Sequence, residues 1–203
     1  SKGKTMAQTL LQMLNAEQQR TRLSKSALII VDAQREYQDG AVPLTGFEKA
    51  VGEISALLER ARKLETKVWH IRHKTFDGAP IFAPDGKYFQ IVDALTPAAG
   101  EAIVDKQQPS SFAGTDLHEQ LQKAGIKDLI VTGFMTHACI STTVRSAHSL
   151  GYPVTLVGSA CATRDLPDIN GGLVKAAELH NATLAALKDL FATLVTSTKD
   201  IED

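Results

Sequence analysis

Ser26-Ala27-Leu28-Ile29-Ile30-Val31 is an uninterrupted apolar run that stops at a carboxylate, Asp32. A strand with one wet face alternates polar and apolar residues, so a continuous run of this length indicates a strand covered on both faces. That environment is typical of a parallel sheet sandwiched between helices. The same punctuation recurs. Apolar segments at 67–71, 102–104, 127–131, 153–157 and 191–195 read as further strands, and the stretches between most of them carry helical periodicity. Phe47–Leu64 places Val51, Ile54, Leu57, Leu58, Ala61 and Leu64 on one face. Helices are also expected over Thr115–Ala124 (Thr115 as N-cap, Gly125 just past the end), Thr136–Leu150 and Leu173–Leu190. Strand followed by helix, repeated in this way, implies an α/β domain with a parallel sheet and right-handed crossovers.

Length and charge narrow the field. A chain of 203 residues suffices for one domain with its own core. The expected division is an N-terminal arm with a short helix (1–25, around Leu10, Leu11 and Leu14), then a single domain over 26–203. Net charge is −1 with the signs interspersed, which gives no footprint for nucleic acid or a membrane surface. Apolar runs fall short of the roughly 20 residues a spanning helix needs, and the first twenty residues lack the apolar centre of a signal peptide. Two cysteines without a CxxC pair fit a reducing, cytoplasmic setting. No P-loop and no GxGxxG occurs, so no nucleotide cofactor is expected.

In open parallel sheets, ligands bind outside the carboxyl ends of the strands. Three complementary side chains fall at such ends: Asp32 after the first, Lys106 after the third and Cys139 in the turn after the fourth. A thiol where a strand gives way to a helix meets free N–H groups and the positive end of the helix dipole, which lower a thiol pKa from about 8.5. Cys139 is thus a candidate nucleophile and Asp32 a base for its proton. A carboxylate serves that purpose only if burial raises its pKa. Lys106 balances the charge, and the backbone N–H groups of Ala138 and Cys139 are candidate oxyanion donors. The set suits acyl transfer at an amide-like C–N bond through a thioester.

Around the triad, Gln34, Tyr37, His73, Phe112, Thr136 and His137 are candidates for contact with a small-molecule substrate. Packing is the competing role for Tyr37 and especially for Phe112, and a surface position for His137. Cys161 is taken as structural. Residues 72–100, rich in Gly and Pro with aromatics between them, form a loop long enough to act as a lid. Two other functions compete with hydrolysis: a non-catalytic flavodoxin-like binding or scaffold protein, and a redox-active thiol.

Three segments, ALIIVDAQREYQDG, IVDKQQPSSFAGTDLHEQL and LIVTGFMTHACISTTVRSAHSLGYPVTLVGSACATRDLP, together resemble the isochorismatase-like cysteine hydrolase superfamily, which includes nicotinamidases and N-carbamoylsarcosine amidohydrolases. The resemblance covers roughly 25–200. It implies a three-layer α-β-α, Rossmann-like fold with a six-stranded parallel sheet, a triad of Asp32, Lys106 and Cys139, and a homo-oligomer, dimer or tetramer. It also implies a non-proline cis peptide near Met135-Thr136. Family members that hydrolyse isochorismate itself have a small residue in place of the cysteine, so Cys139 directs the reading toward amides. Nicotinamidases add an Asp and His pair for a metal. Here Trp69-His70-Ile71-Arg72-His73-Lys74 offers no such pair, Asp39 and His73 are loosely placed, and no metal is expected.

Overall fold

The structure, a computed structural model, describes residues 6–203. Of the expected arm, residues 1–5 lie outside the described residues. The remainder carries a one-turn helix, α1 (Leu10–Met13), held by a reciprocal cap between Thr9 and Gln12. The body then alternates: β1 (Ser26–Val31), α2 (Phe47–Lys63), β2 (Val68–His73), β3 (Ala102–Lys106), α3 (Leu117–Lys123), β4 (Asp128–Phe134), α4 (Ser141–Ser149) and β5 (Val154–Ala162). A hairpin of β6 (Leu166–Pro167) and β7 (Leu173–Val174) precedes α5 (Ala176–Leu190) and β8 (Thr193–Val195).

Six strands form one sheet in the order β3-β2-β1-β4-β5-β8, every pair parallel. β1 lies inside it between β2 and β4, and all six of its residues are buried. Its side chains divide by the two-residue period of a strand. Leu28 and Ile30 face the core containing Ile54, Leu57 and Leu58 of α2. Ala27, Ile29 and Val31 face the core built with Leu117, Leu121, Val144 and Leu187, which lie on α3, α4 and α5. Each such side chain contributes about 1.5–3 kcal/mol of hydrophobic free energy. The sheet interior therefore holds the fold, whereas α1 buries none of its residues.

The chain order reverses between β1 and β4: from β1 it grows through β2 to β3 on one side, and from β4 through β5 to β8 on the other. A crevice opens at such a switch point, beyond the carboxyl ends of the two central strands. Gly133, near the end of β4, permits this. Its φ is +122°, and a Cβ there would fall 2.1 Å from the Val31 carbonyl oxygen. The register of β4 against β5 jumps at this point, from Val131 opposite Leu156 to Gly133 opposite Cys161.

Several expectations are adjusted. β5 continues to Ala162 rather than Val157, across that jump. α3 starts after Asp116, although Thr115 Oγ1 still accepts from the Leu117 N–H at 3.3 Å. α5 begins at Ala176, where Asp165 Oδ1 accepts from the backbone N–H at 2.8 Å, so the hairpin takes residues expected to be helical. The 72–100 loop is packed into the body, with Phe82, Phe89, Val92 and Leu95 buried. Glu36 fixes one part of it, its carboxylate accepting from the Phe82 N–H at 2.9 Å. No helix among the described residues is long and apolar enough to cross a membrane.

Candidate active site

Asp32, Lys106 and Cys139 meet at the switch-point crevice. Asp32 follows β1 directly with φ +53°, a left-handed conformation that Asp tolerates better than most residues. Lys106 is the last residue of β3. Cys139 lies in a π-wound turn, Thr136–Ile140, that enters α4. The bond before that turn, Phe134–Met135, is cis, one residue earlier than the segment singled out in the sequence. Lys106 Nζ stands 3.0 Å from Asp32 Oδ2 and 3.2 Å from Cys139 Sγ. All three residues are buried. The ammonium also donates to His73 Nδ1 at 2.8 Å and to the Gln108 carbonyl at 3.1 Å.

Burial governs the electrostatics. It pushes the Asp32 carboxyl above its ordinary value, and the Lys106 ammonium offsets this only in part. That is the direction a carboxylate needs if it is to take a proton from a thiol. The expectation of a lowered thiol pKa at Cys139 is not met: burial, reinforced by the Asp32 charge, pushes it up to about 12 despite Lys106. The resting group is a neutral thiol beside a buried ion pair. Cys161 is also held at about 12 by burial, and its Sγ points to the Val157 carbonyl.

The other candidates divide. Tyr37 is buried near the triad: burial, then the charge of Asp32, drives its pKa well above the usual range. Its ring packs edge-on to Phe82 at 5.2 Å. His73 contacts Lys106 directly. Gln34, expected to touch substrate, has no free amide atom: it accepts from His73 N and donates to the carbonyls of His73 and Phe89, each at 2.9 Å. It braces the crevice wall. Thr136 is buried with its hydroxyl on His180 Nδ1 at 2.7 Å, and His137 pairs through Nδ1 with Thr163. Phe112 stacks on Tyr152, which precedes β5, at 5.9 Å and so packs away from the carboxyl edge of the sheet. The Ala138 N–H, expected at an oxyanion, donates to the Met135 carbonyl at 3.1 Å.

Asp32, His73 and Cys139 bring potential ligand atoms within 4.8 Å of one another, as a small cation would require. Lys106 Nζ already lies against all three, so the positive charge among them is an ammonium and a divalent ion would meet it at close range. Asp39, the other acidic group considered, pairs with Arg35 at 2.6 Å on an exposed turn. One residue escaped the sequence reading. Arg164, two positions beyond β5, has a buried Nε with no hydrogen-bond partner among the described residues, and its charge acts on both Tyr37 and His137. The only signal was its place after a strand end.

The isochorismatase domain model matches residues 26–199. A secreted isochorismatase effector, Isc1, from Verticillium dahliae is 42% identical over 87% of this chain and 90% of its own. A solved isochorismatase from Pseudomonas putida KT2440 is 40% identical with a TM-score of 0.92, over 97% of this chain and all of the other. A streptothricin hydrolase from Streptomyces noursei is 33% identical over 70% of this chain and 51% of its own length.

Proposed function

The chain belongs to the isochorismatase family of hydrolases, and from that premise we propose that it cleaves an amide-like C–N bond of a small molecule through a thioester on Cys139. The observation that carries this reading is the buried ammonium of Lys106, 3.0 Å from Asp32 Oδ2 and 3.2 Å from Cys139 Sγ. In the proposed reaction the thiol proton passes to Asp32 as Sγ attacks the substrate carbonyl. Lys106 stabilises the thiolate character that develops. The carbonyl oxygen becomes an oxyanion facing the Cys139 N–H, with the Ala138 N–H joining it if it exchanges its bond to Met135. Collapse breaks the C–N bond, and the leaving nitrogen takes the proton back from Asp32. Water then attacks the thioester while giving a proton to Asp32. The acid departs, and the proton returns to Cys139. No step calls for a cofactor or a metal.

Tyr37 and His73 are proposed to line the substrate pocket, with Thr136 and His137 shaping its floor. Arg164, whose buried Nε has no hydrogen-bond partner among the described residues, suits an anionic substituent on the substrate. Comparing carboxylate-bearing amides with their neutral counterparts tests that preference.

The reading is checked by alkylation near neutral pH. Cys139 is expected to react with iodoacetamide at least about tenfold faster than Cys161, because Lys106 Nζ, 3.2 Å from its Sγ, stabilises the thiolate that forms as it attacks, whereas the Cys161 thiol is turned to the Val157 carbonyl. Because Cys139 rests as a thiol, its rate is expected to keep rising with pH through the neutral range rather than level off. Equal rates at the two cysteines would remove the activated nucleophile, and with it the mechanism.

A second reading draws on the 42% identity to a protein named an isochorismatase effector: an isochorismatase-type hydrolysis that forms no covalent bond to Cys139. Replacing Cys139 separates the two. We also propose a homo-oligomer, since α5 buries only Ala176 and Leu187 of its fifteen residues and the hairpin before it leaves Ile169 wholly exposed. Light scattering that returned the mass of one chain would dismiss it. The two unpaired cysteines favour a reducing compartment, the cytoplasm. The fungal relative's name says secreted, and cell fractionation decides between these for the present chain.

A further inference from the structure

Lys106 reaches across a strand. It ends β3, Asp32 follows β1, and β2 lies between them. The β2 residue in register with Lys106 is His73. An ammonium has three hydrogens to give. Lys106 directs its hydrogen bonds to three acceptors, His73 Nδ1 (2.8 Å), the Gln108 carbonyl (3.1 Å) and Cys139 Sγ (3.2 Å). Asp32 Oδ2 is in ion-pair contact at 3.0 Å without hydrogen-bond geometry. The shortest of the four contacts is thus to a neutral ring on the intervening strand.

His73 is itself fixed. The buried Gln34 side chain clasps its backbone, accepting from N and donating to O, both at 2.9 Å. Its ring stands edge-on to Phe82 at 5.2 Å. Burial, then the Lys106 charge, holds its pKa at about 4, so the ring is neutral near pH 7, and the ammonium 2.8 Å away, which can only donate, assigns the lone pair to Nδ1.

We propose that His73 is a positioning residue that acts through Lys106: a clamped, neutral acceptor at the end of β2 that draws the ammonium across the sheet edge to Asp32 and Cys139. The role rests on the Cys139 nucleophile reading, since it sets the charge that stabilises the thiolate. It requires an acceptor at the place of Nδ1, not the bulk of the ring.

That distinction supplies the test. His73→Asn keeps an acceptor oxygen at the branch position that Nδ1 occupies and removes volume. His73→Leu keeps volume and removes the acceptor. The probe is iodoacetamide, read as the alkylation rate of Cys139 against pH on the full chain, with circular dichroism and melting recorded for each variant. The Leu variant is expected to lose at least about tenfold in rate, with its pH profile moved toward higher pH, since a misplaced group of this kind can cost up to about 100-fold. The Asn variant is expected to stay within about threefold of the parent on the same grounds. Equal loss in both, greater loss in Asn, or no loss in either overturns the positioning role. If parental Cys139 reacts no faster than Cys161, the nucleophile reading fails first and takes this role with it. Fast parental labelling that ignores His73 overturns the positioning role alone.

Discussion

Cys139→Ala is expected to lower hydrolysis of any amide substrate by at least about 10⁴-fold while leaving the fold intact, because removing a nucleophile removes the covalent pathway altogether. Cys139→Ser is expected to fall comparably. A hydroxyl gives up its proton far less readily than a thiol, and the base proposed to take it is the Asp32 carboxylate. The stability cost of the Ala variant is small by comparison. The side chain lost is one sulfur atom, and Lys106 keeps His73, the Gln108 carbonyl and Asp32 as partners. A change of about 1 kcal/mol is expected, read as a shift in urea midpoint. Full turnover by the Ala variant on an identified substrate would exclude the thioester mechanism.

Lys106→Met is expected to damage both stability and activity. Lys106 is 1% exposed and Asp32 fully buried, so the substitution leaves a carboxylate in a dry site without its cation. Breaking a buried pair from one side costs about 3–5 kcal/mol. For a chain of this size that corresponds to a fall in melting temperature of very roughly 10 °C. The pH dependence has a definite sign. Asp32 already has a raised carboxyl pKa, and without the ammonium it rises further. The penalty is therefore present in full above that raised value and relieved as the pH falls and Asp32 takes a proton in the folded state. The double variant Asp32→Asn/Lys106→Met removes the orphaned charge and is expected to recover much of the stability with none of the activity. If Lys106→Met melted like the parent at neutral pH, the ion pair would not have the burial argued for it.

The legible part of this molecule was what the linear pattern dictates. The unbroken run of β1 required cover on both faces, and the sheet supplies it. Asp32, Lys106 and Cys139 were each visible as polar residues at strand ends, and the switch point explains why ends distant in sequence share a crevice. Properties set by tertiary register were hidden. That His73 would lie beside Lys106 depends on β2 pairing with β3 in one register. The commitment of every Gln34 amide atom depends on the end of β2 and the loop after it, 39 and 55 residues away in the chain. At Cys139, local reasoning from a helix start pointed to a lowered pKa, yet desolvation by the surrounding fold acts more strongly and in the opposite direction. Phe112, read beside Lys106, turns to Tyr152 because the chain bends away after β3. The hairpin before α5 was too short for any periodicity to register.

The most direct measurement is intact-protein and peptide mass spectrometry after rapid quenching with a panel of amides, ureides and imides, in parent and Cys139→Ala protein. The expected result is a mass increment equal to the acyl portion of a turned-over substrate, on the peptide containing Cys139 and absent from the variant. Steady turnover with Cys139 unmodified at every quench time, and equal turnover by the variant, would contradict the account.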